Sequence, residues 1–380
     1  MKALRRFFLK IFGDEKRQAI TIPIFSIFLS LIAGSIILTI LGKNPFSALY
    51  NLLQGSGLAP KLRYAGSKGM ITDFMSFLNS LTPMIFGALA VAVALKGGLF
   101  NIGVSGQMLT AGFVATIIVG YSGLNAYIAK PLVILIGIVV GGLVGGLIGF
   151  LKYKFNINEV VASIMINYIV QYITSFFIYT RYIDPVSRQS IAVLSESRLT
   201  LMNTQIGNYK MDIPLGIILA IIVVFIIKFL IDKTNLGFEI KAVGSSRSGA
   251  KYIGIPVGTR IVTVMVISGA LAGLAGVTYY LGYFGSIQPK VLPSLGFDAI
   301  AVALLGNSNP IGIIFSSFVI NIISEGSAYM SSQAGIEQEI SSVITGIILL
   351  FSACGAYIKY RLSKSKDKDE EEKKEVKNNG

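Results

Sequence analysis

From Ile20 to Leu41 the chain carries no charged residue, and apolar stretches of similar length recur along it as far as residue 358. A helix needs about 20 apolar residues to cross a hydrocarbon core. This repeated hydropathy therefore restricts the chain to a polytopic helical membrane protein before any motif is considered. Composition agrees: 53% of the 380 residues are hydrophobic, only 14% are charged, and 41 are glycine. The expected fold class is all-α, with about ten transmembrane spans, some of them broken or re-entrant. They fall at 20 to 41, 79 to 95, 104 to 121, 131 to 151, 159 to 180, 213 to 231, 261 to 282, 297 to 306, 310 to 330 and 339 to 358. The shortest, 297 to 306, crosses only if it is broken, tilted or continued by its neighbours. The connection from 181 to 212 has room for a short external helix.

Charge sets the orientation. Lys2, Arg5, Arg6, Lys10, Lys16 and Arg17 precede the first span, whose apolar part is too long for the roughly 7 to 15 residues of a cleaved signal peptide. A retained first helix with a cytoplasmic N-terminus follows, and an even number of spans returns the Lys-rich C-terminus to the cytoplasm, as the positive-inside tendency prefers. Residues 1–19 then form a cytoplasmic segment, 20–358 the membrane domain, and 359–380 a solvated, disordered charged tail. The formal net charge of +14 is spread over short connections, so it reads as a topology signal and not as a nucleic-acid surface. Histidine is absent and Cys354 is the single cysteine. The commonest general base and metal ligand are thereby lost, and hydrolase, deaminase and metalloenzyme readings lose most of their weight. No metal or cofactor is expected.

Residues 90 to 116, AVAVALKGGLFNIGVSGQMLTAGFVAT, join two apolar runs through a Gly-rich break. Backbone polar groups at membrane depth must find partners within the protein, so such breaks occur where protein buries them or where they line a path for something polar. Elsewhere, Gly137, Gly141, Gly145 and Gly149 share one helix face, with Gly142 and Gly146 beside it, and Gly269 and Gly273 repeat the spacing. Small residues at this interval let helix backbones approach closely, either within one subunit or across a dimer face.

Polar residues also recur at four-residue intervals: Ser163, Asn167, Gln171 and Ser175 on one helix, and Ser317, Asn321 and Glu325 on another. Two readings stand. Such groups bond neighbouring helices, each contributing on the order of 0.6 to 2 kcal/mol. Alternatively they line a pathway for a small neutral, hydrogen-bonding solute, through Asn101, Gln107, Ser163, Asn167, Gln171 and Asn321. Ion pumps and proton relays use paired intramembrane charges, and here only Glu159, Asp298, Glu325, Glu337 and Glu339 lie in or at the ends of spans. Asn158 caps the helix that Glu159 opens, an acid position the helix dipole favours.

GSSRSGAK at 244 to 251 has the glycine spacing of a phosphate-binding loop, but Ala250 stands where the lysine is required and no buried strand precedes the first glycine. The surrounding stretch, 232 to 260, is the longest internal cytoplasmic connection expected. It sets Lys233, Lys241, Arg247, Lys251 and Arg260 around small residues, which suits either a docking surface or a solvated linker.

Taken together and in order, GGLFNIGVSGQM, INEVVASIMINYI, LGFEIKAVGSSRSGAKYIGI, SGALAGLAGV and GFDAIAVALLGNSNPIG resemble the permease subunits of bacterial ATP-binding-cassette (ABC) importers. The family is the one that handles simple sugars, nucleosides and, more distantly, branched-chain amino acids. The resemblance covers nearly all of 20 to 358. The FNIG-x-x-GQ form and the long N-terminal portion are similar to the larger permease of nucleoside importers. Where members of this family commonly carry a Glu, this chain has Ser105. The resemblance implies a plasma-membrane subunit that moves a purine or other nucleoside, or else a simple sugar, by alternating access. It implies an ATPase-coupling segment through Glu239, Ala242, Gly244, Ser246, Arg247 and Gly254. The implied partners are an ABC ATPase subunit that hydrolyses the ATP, a second permease, usually a different chain, and an extracytoplasmic solute-binding lipoprotein. Competing readings are an ion-coupled secondary carrier and a membrane-embedded enzyme, the latter lacking any nucleophile and base pair visible in the chain.

Overall fold

The computed structural model describes residues 15–64 and 66–335, with scattered positions between 340 and 350. Residues 1–14 of the expected cytoplasmic segment 1–19, most of the last span and the tail 359–380 lie outside the described residues. In chain order the helices are α1 (Glu15–Ile40), α2 (Pro45–Gly55), α3 (Met70–Lys96), α4 (Val104–Ala115), α5 (Ala126–Phe155) and α6 (Glu159–Phe177). A β-hairpin, β1 (Thr200–Ile206) and β2 (Tyr209–Pro214), follows. The chain then runs through α7 (Gly216–Lys233), α8 (Asn235–Ser245), α9 (Arg247–Tyr252), α10 (Val257–Val277), α11 (Leu295–Leu305) and α12 (Pro310–Ala334). Helices α4, α6 and α10 each end in a π-helical turn, at Thr116–Gly120, Ile178–Tyr182 and Thr278–Phe284.

Side chains that occupy the first amide donors set the starts of six of the described helices. Asn44, Asn125, Asn158, Thr234, Ser246 and Asn309 accept from backbone N–H groups at the starts of α2, α5, α6, α8, α9 and α12, supplying partners that a helix start lacks. Pro45 and Pro310 stand in the first turns, where no N–H is needed. Glu159 follows Asn158 and pairs with Lys152 at 2.8 Å, the structural role expected of it.

Five helical segments are long and apolar enough to cross a membrane alone: Met70–Lys96, Ala126–Phe155, Glu159–Tyr182, Val257–Phe284 and Pro310–Ala334. A sixth arises if Phe28–Ile40 and Pro45–Gly55, bent by 118°, form one broken span. Ten spans are compatible with this arrangement once α4, α7, α11 and the stretch 339–358 are counted. The first three are short or charged near their ends, and the last falls largely outside the described residues.

Helix α3 forms the centre. Phe77 and the run Asn79–Ala94 are buried on every side, as expected of a helix apolar all round. Against it lie α10, α11 and α12. The glycine faces of α5 and α10 meet within the chain: a Cβ built on Gly141 would overlap the Gly269 carbonyl oxygen, and one on Gly273 the Gly137 carbonyl oxygen. The opposite side of α5 leaves Leu135, Leu143, Leu147 and Phe150 exposed, a surface suited to lipid or a partner helix.

The connection 181 to 212 differs from expectation. It holds a single 3₁₀ turn, Ser195–Ser197, and then the hairpin. The pairing Ile206↔Tyr209 leaves a two-residue turn, Gly207–Asn208, with Gly207 at φ +61°. That geometry suits a hairpin and favours glycine. The alternation in TLMNTQIGNYKMD was a strand signal, and a helix was the wrong expectation for it.

Candidate functional site

The break between α3 and α4 is built from its ends inward. Gly97 closes α3 by donating to Val93 O and Ala94 O, and Gly98 turns the chain at φ +67°. Leu99 to Gly103 then fold back, so that α4 begins inside the bundle. The buried side-chain amide of this segment is met on both its oxygen and its nitrogen within the protein. Asn101, 1% exposed, donates to Gln107 Oε1 at 3.0 Å and to Ser268 Oγ at 2.8 Å, and accepts from Gly103 N and Gln107 Nε2. Ser268 donates in turn to Ala90 O at 2.6 Å. Asn167 reaches across from α6, accepting from Gly106 N at 2.9 Å and donating to Ile102 O at 3.1 Å. Ser105 donates to Pro293 O at 2.9 Å, which ties the start of α4 to the start of α11.

Of the predicted pathway residues, Asn101, Gln107 and Asn167 therefore come together as one buried clamp around the break. The rest of the stripe is also bonded. Ser163 donates to Glu159 O on its own helix, and Gln171 donates to Lys290 O at 2.6 Å. Asn321 sits elsewhere, on α12, donating to Phe77 O at 3.1 Å and Ser80 Oγ at 2.8 Å. Replacing Asn167 by leucine strands two backbone groups away from water, each costing roughly 1 to 3 kcal/mol. The expected result is a fall in the melting temperature of the detergent-solubilised protein, whereas an unchanged melting curve would separate Asn167 from the stability of the break.

The segment expected to couple to an ATPase, α8 and α9, contacts the same break from the other side. Gly244 lies against the end of α3: a Cβ placed there would overlap the Lys96 carbonyl oxygen, and one on Gly98 would stand 2.9 Å from the Gly244 Cα. Arg247 donates to Gly98 O at 3.3 Å. Glu239 forms an ion pair with Arg260 at the start of α10. Ser246 caps α9, Ala242 is half-buried, and Gly254 takes φ +84° in the turn that leaves α9. On the outer side of this element Phe238, Tyr252 and Ile253 are 61%, 93% and 61% exposed, an apolar surface on an otherwise basic segment. The glycine spacing of GSSRSGAK is preceded by helix α8 and not by a strand, so the phosphate-loop geometry is absent here.

A cavity of about 280 Å³ opens between α3, the π turn after α10, the start of α11 and α12. Asn321, Tyr279, Tyr283, Phe284, Asp298 and Glu325 line it. The acids had been noted in the chain; the three aromatic residues had not. The signal available was the density of the TYYLGYF run, four aromatic residues among seven.

These features define a polytopic helical membrane protein whose interior carries a non-helical break between an open cavity and a surface helix pair. The chain belongs to the family of the branched-chain amino acid transport system, permease component, which it matches over residues 74–353. It is 33% identical to the nucleoside ABC transporter permease protein NupB of Lactococcus lactis subsp. cremoris, over 93% of this chain and 96% of that one. It is 35% identical to the guanosine ABC transporter permease protein NupP of Bacillus subtilis, over 93% and 99%. To the glucose ABC transporter permease protein TsgB13 of Haloferax volcanii the identity is 24%, over 90% and 89%. The chain is thus a multi-pass membrane permease component.

Proposed function

We propose that this chain is the permease subunit of an ATP-driven importer that moves a nucleoside, most naturally a purine nucleoside, across the bacterial plasma membrane. The observation that carries the reading is the contact of α8 and α9 with the break: Gly244 packs on Lys96 and Gly98, so a load applied to the surface pair acts directly on the end of α3 and the break that leads to α4. The names of the two relatives at 33% and 35% identity support the solute class, and the glucose permease at 24% keeps a sugar as the second reading. ATP hydrolysis belongs to a separate ABC ATPase, which docks on the exposed Phe238, Tyr252 and Ile253 and on the basic residues around them. A second, different permease completes the pathway, and an extracytoplasmic lipoprotein delivers the solute. Both termini face the cytoplasm, with 20–358 as the membrane domain and 359–380 as a solvated tail.

In the cycle, closure of the ATPases moves α8 and α9, and the break passes that movement to α4 and α11. The Asn101, Gln107 and Asn167 clamp keeps the break's amides satisfied in both states. Binding can shift such an equilibrium only as far as solute and nucleotide differ in affinity for the two states.

The test is uptake into proteoliposomes holding the chain with its ATPase, second permease and receptor. Tritiated guanosine should accumulate only with ATP at the ATPase side. Accumulation driven by an ion gradient without ATP would overturn the proposal, and accumulation of glucose but not guanosine would move the assignment to sugars.

A further inference from the structure

The cavity between α3, α10, α11 and α12 has a composition that the coupling mechanism does not require. Its volume, about 280 Å³, is just under the roughly 300 to 1,000 Å³ of small-molecule sites, the size of a single small solute. Tyr279 and Phe284 lie with ring centroids 4.8 Å apart, and Tyr283 meets Phe284 edge-on at 4.8 Å. The π-helical turn Thr278–Phe284 packs these rings more densely along one side than an α-helical repeat does, and such turns are frequent at functional sites. Facing them, Glu325 accepts from Tyr283 Oη through both carboxylate oxygens, at 2.9 and 3.1 Å, so the acid is held in one orientation. Asp298 stands in the first turn of α11, where the helix dipole favours an acid. Asn321 closes the floor by bonding Ser80. Among the described residues, no lysine or arginine lines the cavity.

We propose that this cavity is a solute-contact subsite on the import path, taking an uncharged nucleoside with its base against Tyr279 and Phe284 and its sugar hydroxyls donating to Glu325 and Asp298. The assignment rests on the nucleoside reading and deepens it. Aromatic faces supply stacking for any base at about 1 to 3 kcal/mol per base, and acceptor carboxylates suit hydroxyl donors. The same two carboxylates, with no cation beside them, repel a phosphate. The subsite therefore admits nucleosides and rejects nucleotides. Its floor is also joined to the break, since Ser105 bonds Pro293 O and a Cβ on Gly296 would overlap the Ser105 hydroxyl. A solute in the cavity and an ATPase on α8 and α9 thus act on opposite ends of one segment.

The experiment uses the assembled transporter in proteoliposomes. Glu325→Gln keeps size and should lower guanosine uptake per ATP hydrolysed by about tenfold, the loss expected when a charged hydrogen-bond partner is neutralised. Tyr279→Leu should act likewise, and both variant complexes should still elute as monodisperse peaks in gel filtration. Independently of any variant, 8-azidoguanosine photolysed on the wild-type complex should label residues 279–284 or 321–328, and guanosine but not guanosine monophosphate should protect them. Wild-type uptake per ATP in both variants, or label confined to other segments, would overturn the subsite while leaving the nucleoside importer standing. A wild-type complex that transports no nucleoside would overturn both.

Discussion

Gly141→Val is expected to abolish recovery of folded protein from the membrane. The valine Cβ would occupy the position of the Gly269 carbonyl oxygen and lie 2.6 Å from the Gly273 Cα, so α5 and α10 must separate along their full contact. Overpacking that side chains can absorb costs about 1 to 3 kcal/mol. Here the obstruction is backbone, with no rotamer to yield, and helices in lipid hold together chiefly by this close packing. The internal control is Gly142→Ala. Its nearest neighbour would be Val266 O at 3.6 Å, an ordinary contact, and expression should match wild type. Gel filtration of the detergent-solubilised variants reads both outcomes. A normal, monodisperse peak for Gly141→Val would mean that the glycine faces do not pack within one chain.

Gly244→Val is expected to separate ATP hydrolysis from transport. Its side chain would displace the carbonyl of Lys96 and push α8 away from Gly98, lengthening the closest contact between the surface pair and the break. The site lies at the edge of the bundle, where Gly244 is only half-buried, so the membrane core should still assemble. Uptake of guanosine per ATP hydrolysed should fall by about tenfold or more, equivalent to at least about 1.4 kcal/mol of lost coupling, with basal hydrolysis retained. Ser248→Ala, on the exposed side of α9, should behave as wild type. Coupled transport in Gly244→Val would move the transmission route elsewhere.

The predicted clamp residues illustrate what local sequence carries. The Gly-rich interruption at 97 to 106 announced a non-helical segment that needs internal partners, and the four-residue spacing of Ser163, Asn167 and Gln171 announced one polar helix face. Neither named the partners. Asn167 bonds Gly106 and Ile102, and Asn101 bonds Ser268, contacts that join residues more than 60 positions apart. Without them the stripe read equally well as helix bonding or as a solute path. The cavity was less legible still. Tyr279, Tyr283 and Phe284 are ordinary residues near the end of a membrane helix, and only the π turn and the approach of α11 and α12 make them a lining.

Hydropathy and glycine spacing alone determined the membrane class, most helix positions and which helix faces pack closely, because each depends on residues within a few turns of one another. The tertiary structure decided which glycine face meets which, that the break lies between the surface helices and the cavity, and which acids share that cavity. Those relations join distant parts of the chain, and what selects them is the need to satisfy every polar group away from water.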